Sequence, residues 1–237
     1  MLNTTLLAKK EVAEGTMEFV LQKPDGFVHK AGQTIDLSLI NPPETDAEGN
    51  MRTFSIVAAP HEEHLAIATR MRDTAFKRVL RNLPEGSPLQ FDGPFGDFTL
   101  HEKAARPAVI LAGGIGITPF RSIIADATHR ALPHKIVLIF SNRRPEDAPF
   151  LAELGQFAKE NANFTFVPTM SDMEKSAQTW EGERGQIDAA MLKRHMPEGE
   201  PIYYLAGPPG MVKAMREMLN AAGISNDDIR TEEFAGY

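Results

Sequence analysis

Arg52-Thr53-Phe54-Ser55 sets a permanent cation, an aromatic ring and two hydroxyls within four residues. The guanidinium is a planar fork suited to a diphosphate. On a strand, Arg52 and Phe54 point to one side, Thr53 and Ser55 to the other. A planar ring system lying along that strand would meet the aromatic, with backbone groups and a hydroxyl at its edge. An ordinary amphipathic strand shows the same alternation. Asp73-Thr74 then precedes Ala75 to Leu83, where Phe76, Val79, Leu80 and Leu83 recur at helical spacing. Thr74 is a candidate N-cap, and the free N–H groups behind it make an anion site.

A second cradle is written in glycine. Gly113-Gly114-Ile115-Gly116-Ile117-Thr118-Pro119 lies between the apolar Ala108-Val109-Ile110-Leu111-Ala112 and a helical stretch running to about Ala131. Strand, glycine-rich turn and helix is the order that brings backbone N–H groups onto a dinucleotide phosphate. Thr118 is expected to cap the helix, and Pro119 fits its first turn. Pro119 stands where G-x-G-x-x-G has its third glycine. Ala206-Gly207-Pro208-Pro209-Gly210-Met211 is a further strand-to-helix turn, expected at the same end of the sheet. Ser141-Asn142-Arg143-Arg144 follows another strand. Its arginines suit a 2′-phosphate, which would favour NADPH over NADH, or else form a solvated pair beside Glu146 and Asp147.

These groups need two kinds of scaffold. To about residue 102 the chain reads as short strands and turns: Val12 to Leu21, Gly32 to Ile40, Phe54 to Val57, His64 to Thr69 and Pro88 to Asp92, with a polar hairpin loop at Asn41 to Asn50. That pattern predicts a small barrel. From residue 103 strands alternate with helices: Lys135 to Phe140, Pro149 to Glu160, Phe164 to Val167, Pro201 to Ala206 and Met211 to Ala222. That grammar predicts a parallel, doubly wound sheet. The expected division is residues 1–102 and 103–237.

The 237 residues, 42% hydrophobic and 24% charged, have the composition of a globular protein. The net charge of −7 argues against general nucleic-acid binding. No apolar run approaches the roughly 20 residues of a membrane span. The first ten residues lack the order of a signal peptide, and with no cysteine the cytoplasm is the expected compartment. Without thiolates, the chain is not expected to hold its own iron–sulfur cluster, so any such centre would lie on another polypeptide. No metal site is expected.

In this order the motifs resemble those of the ferredoxin–NADP reductase superfamily across nearly the whole chain. Arg52 to Ser55 resembles its R-x-[YF]-[ST] flavin motif. Gly93-Pro94-Phe95-Gly96-Asp97-Phe98 resembles its G-P-x-G-x-F junction turn. Gly113 to Pro119 and Ala206 to Met211 resemble its two pyridine-nucleotide turns. The resemblance implies a two-domain β plus α/β protein: an antiparallel Greek-key β-barrel for FAD, then a Rossmann-like parallel α/β domain for NADPH or NADH. It implies a flavoprotein that moves a hydride between NAD(P)H and FAD.

By the same resemblance Arg52, Thr53, Phe54, Ser55, Thr69, Arg70, Asp73, Thr74 and Ala75 belong to the FAD site. Gly113, Gly114, Gly116, Thr118, Pro119, Ser141, Asn142, Arg143, Arg144, Gly207, Pro208 and Met211 belong to the nucleotide site. Phe54 stands where much of the family has Tyr, which keeps the stacking and loses the hydroxyl. Ser55 and Glu232 are the candidates for hydrogen bonding or proton relay at the flavin. The ending Glu232-Glu233-Phe234-Ala235-Gly236-Tyr237 resembles the family's acidic–aromatic tail, with Phe234 or Tyr237 covering the flavin as a gate.

Thr69 to Arg81 is densely basic, either a solvated helix face or a dock for an acidic carrier such as ferredoxin or flavodoxin. An oxygenase component as partner, a free-flavin or quinone reductase, and a non-catalytic flavin-binding electron-transfer subunit are the other readings.

Overall fold

A computed structural model describes residues 1–234. The first half is one curled antiparallel sheet of β1 (Leu2–Ala13), β2 (Thr16–Leu21), β3 (Thr34–Leu39), β4 (Met51–Ser55), β5 (Leu65–Arg70) and β6 (Pro88–Phe95), in the order β4-β3-β6-β1-β2-β5. The sheet is not laddered into a full ring. Its edge strands β4 and β5 approach each other without pairing, and Ile56 and Val57 carry the chain across the gap by donating to Gln33 O and Ala66 O. The expected barrel is therefore a half-barrel, open where Arg52 and Arg70 lie. Helix α1 (Ala75–Asn82) plugs it with Phe76, Val79 and Leu80.

The second half is a parallel six-stranded sheet of β7 (Ala108–Gly113), β8 (Ile136–Asn142), β9 (Phe164–Met170), β10 (Glu183–Arg184), β11 (Ile202–Gly207) and β12 (Ile229–Glu233). Their order is β10-β9-β8-β7-β11-β12. Helices α2 (Thr118–His129), α3 (Leu151–Glu160), α4 (Ala189–His195) and α5 (Pro209–Ala221) complete the half. The chain winds outward from β7 to β10, then returns to set β11 on β7's other side. The switch point thus falls between β7 and β11, where parallel sheets open a ligand crevice.

Strand alternation divides the core. Val109, Leu111, Val137, Ile139, Tyr203 and Leu205 pack on one face of the parallel sheet. Ile110, Ala112, Leu138, Phe140, Tyr204 and Ala206 pack on the other, in an apolar cluster that continues into the half-barrel. The junction turn contributes Phe98, whose ring lies 5.5 Å from that of Phe120 and 5.8 Å from that of Tyr204. Arg121 of α2 is paired with Glu62 of the first half and Glu153 of α3, and Ser122 Oγ donates to Ala58 O at 2.9 Å. A buried cation shared by two carboxylates holds the halves in one alignment at little exposure to salt. Among the described residues no helix is long and apolar enough to cross a membrane.

Candidate functional site: two anion cradles across one cleft

β4 is an edge strand, and its alternation is the expected one. Arg52 and Phe54 are half-buried against Phe76: the guanidinium carbon sits 5.2 Å from that ring's centroid, and the Phe54 ring 5.9 Å from it. Thr53 turns to the opposite side and bonds Asp36. Ser55 is buried, and its Oγ has no partner among the described residues.

Thr74 caps α1, accepting from the Lys77 N–H at 3.4 Å. Ala75 follows, buried, at the helix start. Asp73 points outward and pairs with Arg78. Thr69 is buried at the end of β5. Arg70 reaches across to a cavity of about 380 Å³ whose other walls are Gly113, Gly114, Asn142, Arg143 and Met211.

Arg52 is already engaged with anions. Its Nη2 lies 2.9 Å from an Asp46 carboxylate oxygen and 2.9 Å from one of Glu48. Desolvation pushes the Asp46 carboxyl up. Hydrogen bonds from Arg52 and the Glu48 N–H, the Arg52 charge and the Ala75 N–H outweigh it and hold Asp46 below the usual carboxylate value. One carboxylate therefore feels both predicted phosphate donors, the Arg52 fork and the first turn of α1. Those two groups converge closely enough to share an anion, as a diphosphate requires. The loop 41–50 that supplies Asp46 reads in the sequence only as polar, and its role was not legible there.

The second cradle is built from backbone. A Cβ on Gly116 would stand 2.3 Å from Ala206 O, and one on Gly113 would stand 2.3 Å from Met211 Sδ. At Gly116 the obstacle is backbone, so only glycine there lets the turn after β7 lie against the end of β11, whereas at Gly113 it is the flexible end of Met211. Thr118 corrects the sequence expectation. Its hydroxyl donates to Ile115 O at 3.0 Å instead of capping α2, because a 3₁₀ turn over Gly114–Ile117 leads straight into the helix. Pro119 stands in the first turn, as expected. Gly207, Pro208 and Met211 form the facing wall, with Pro208 leading into α5.

Ser141 and Asn142 end β8. Asn142 is buried, and neither atom of its amide has a partner among the described residues. Arg143 lines the cavity. Arg144 is committed elsewhere: it pairs with Asp147 at 2.8 Å and with Glu14 of the first half at 2.7 Å. It ties the two halves together, which leaves Arg143, of these two, facing the cavity that Arg70 also lines.

The tail is ordered as far as it is described. β12 pairs with β11 so that Glu232 stands opposite Ala206, and the Phe234 N–H donates to Gly207 O at 3.1 Å. Phe234 packs at the edge of the core. Tyr237 lies outside the described residues. Glu232 Oε2 is buried without a partner among the described residues, and burial raises its carboxyl to about 7.

Buried polar atoms without partners are costly and uncommon in native proteins. Among the described residues they recur at Ser55, Asn142 and Glu232, which the motifs single out, and also at Glu18, His29, Ser38 and His134, which they do not. The convergence of Arg52 and the Ala75 N–H on Asp46, with the free polar atoms of Ser55 and Asn142, fits a diphosphate and the polar edges of FAD and a nicotinamide nucleotide. A larger cavity, about 1280 Å³, is lined by five histidines and none of these residues. It has neither glycine turn nor aromatic platform, so size alone does not mark the site.

Residues 110–217 match the oxidoreductase NAD-binding domain family. The chain is 29% identical over 223 residues to the glycine betaine monooxygenase reductase subunit of Chromohalobacter salexigens, covering 92% of this chain and 60% of that one. It spans less than two thirds of the length of the first curated relatives it matches. Among solved structures, it superposes on the FAD/NAD-binding domain of the Vibrio cholerae nitric oxide dioxygenase with a TM-score of 0.83 at 20% identity, covering 98% of each chain. A Neisseria gonorrhoeae ferredoxin NADP+ reductase with bound FAD and NADP gives 0.80 at 22% identity, again over 98% of each. Two anion cradles on this pair of sheets, an oxidoreductase NAD-binding domain over residues 110–217 and these likenesses make the chain similar, in fold and in motifs, to the FAD- and NAD(P)-binding reductases of the ferredoxin–NADP reductase superfamily.

Proposed function

We propose that the chain takes a hydride from NAD(P)H onto FAD and passes the electrons on to a separate carrier or oxygenase component. The observation that supports this most is Arg70. It belongs to the flavin half, yet it lines the cavity made by Gly113 and Met211 of the nucleotide half. When bound, FAD supplies the two-electron acceptance and one-electron release that no side chain can.

The chain's own work is alignment. Arg52 and the start of α1 hold a diphosphate, and Phe54 offers its ring to a planar system. Ser55 Oγ, buried and unpaired, offers one hydrogen bond at that system's edge. The glycine turns after β7 and β11 bring backbone against the nicotinamide nucleotide. Glu232 Oε2 exchanges a proton near neutral pH. Phe234 excludes water from the mouth of the cleft and has to yield to an incoming ring.

Anaerobic mixing of the FAD-loaded protein with NADPH, and separately NADH, tests the reading. Rapid bleaching of the flavin absorbance by either is expected. A yellow protein that neither nucleotide bleaches would sink it. With Arg144 bound to Glu14 and Asp147, Arg143 is the arginine of the pair left to favour a 2′-phosphate, so we expect a modest preference between the two nucleotides.

For the acceptor, the name of the Chromohalobacter relative supports an oxygenase component, with a small acidic ferredoxin- or flavodoxin-like carrier as the second possibility. The basic stretch contributes less charge to docking than its composition promises. Lys77 Nζ donates to Arg70 O, and Arg78 is paired with Glu44 and Asp73. Arg72 and Arg81 stay exposed, and neither has an ion pair among the described residues.

A further inference from the structure

The loop between β3 and β4 carries Glu44, Asp46 and Glu48 at alternate positions, and all three carboxylates end on cations of the flavin half. Arg52 is the centre of this arrangement. Its Nη1 donates to Glu48 O at 3.0 Å, Gly49 O at 3.1 Å and Met51 O at 2.7 Å. Its Nη2 meets the Asp46 and Glu48 carboxylates. A guanidinium has two hydrogens on each terminal nitrogen. Both nitrogens are therefore fully taken, all by one loop and the residue beside it. Glu44 grips Arg78 through two contacts, Nε to Oε1 at 3.0 Å and Nη2 to Oε2 at 2.6 Å. That grip sits two residues upstream of Asp46 and does not involve Arg52.

A diphosphate approaching Arg52 meets two carboxylates already in the cradle. Two like-charged groups cannot share the same donors without strong repulsion. The loop has to release Arg52 before the ligand takes it.

We propose that Asp46 and Glu48 form an internal stopper of the FAD diphosphate site. They hold Arg52 until the diphosphate displaces them, and so set the affinity and the rate of FAD binding. Glu44, anchored on Arg78, is the fixed end from which the loop swings. The stopper rests on the reading of Arg52 as a diphosphate ligand given above. It adds that the chain lowers its own affinity for its cofactor, and that charges outside every recognised motif do so.

The test is FAD binding to the apoprotein, followed by quenching of flavin fluorescence, with riboflavin as the probe that lacks a diphosphate. For Asp46→Asn and for Glu48→Gln the FAD Kd is expected to fall, by about tenfold for Asp46→Asn. Riboflavin is expected to bind wild type and variants alike. In stopped flow, the observed rate for wild type should level off at high FAD, where loop opening becomes limiting. In Asp46→Asn that plateau should rise.

An unchanged or weakened FAD affinity in both variants overturns the stopper and makes the loop a scaffold for Arg52. A wild-type rate that climbs linearly with FAD overturns it also, and needs no variant to fold. Arg52→Ala separates the two layers. Weaker FAD binding there, with Asp46→Asn unchanged, removes the stopper alone. Undiminished FAD binding in Arg52→Ala removes the reading of the cradle beneath it, and the stopper with it.

Discussion

At Gly116 a side chain has nowhere to go, because the obstacle is the backbone carbonyl of Ala206. At Arg52 the site is made of a long side chain whose partners are themselves side chains and loop carbonyls. Both places suit phosphate, by opposite means. The nucleotide cradle is steric and local: two turns at the switch point of a parallel sheet, fixed once β7 and β11 pair. The flavin cradle is electrostatic and assembled from β4, α1 and a loop. A steric cradle resists substitution and stays open. An electrostatic one can be competed for, tuned and screened by salt.

The sharpest way to break this contrast is Gly116→Ala. The added methyl forces the turn away from β11 and misplaces the bound nucleotide. Displacements on the ångström scale cost reaction rates about 100-fold. Flavin bleaching by NAD(P)H should fall by about that much, with FAD retention unchanged in the same sample. Normal bleaching would mean the turn tolerates a side chain and is not a steric cradle. Arg52→Ala should do the reverse. Loss of charge-assisted hydrogen bonds costs about 2 kcal/mol, or about thirtyfold in FAD affinity. Nucleotide binding by the other half should not change. Equilibrium titration of each variant with FAD and with NADP+ checks both statements.

The difference also explains what could be read from the chain beforehand. The glycine cradle is legible because its physics is local: a buried strand, small residues and a helix start follow one another. The parallel sheet follows from the same grammar. β1 was missed because Lys9, Lys10 and Glu11 interrupt its apolar alternation. Thr16 to Leu21 was merged with the end of β1 because the tight turn at Gly15 reads as strand. α4 and β12 are short and half-exposed, so they carry little periodic signal. The contacts that align the halves were beyond reach. Arg121 finds Glu62 across 59 residues and Arg144 finds Glu14 across 130, and only the fold brings them together.

Glu232 stands on β12 opposite Ala206, and its carboxyl offers a smaller effect with a clear sign. Burial raises it from 4.5 to about 7. Between those values the native state holds a proton that the unfolded chain has released. Stability therefore declines as pH rises from about 4.5 toward about 7, and changes little from this group above that. In Glu232→Gln that decline should be missing from denaturation midpoints of the apoprotein across the same range. The bleaching rate should also lose any inflection near 7. A wild-type inflection that survives in Glu232→Gln would assign the titration to another group.

The smallest effect concerns the outer face of the flavin half, where the electrostatic logic meets a partner instead of a cofactor. Lys77 and Arg78 are spent inside the molecule, so reversing them perturbs α1 and the loop anchored on it as much as any dock. Arg72 and Arg81 are the informative pair. Among the described residues both are exposed and without ion pairs, so their reversal leaves the described contacts of the cradle in place. Rim charges act mainly on encounter rates and their salt dependence. Arg72→Glu with Arg81→Glu should slow reduction of an acidic protein acceptor by about threefold to tenfold at low salt, and less as salt is added. Ferricyanide, a small anion that needs no protein dock, should be reduced at nearly the wild-type rate. Equal slowing of both acceptors would mean that these arginines act through the general field over the flavin cradle, and that the basic face is not a dock.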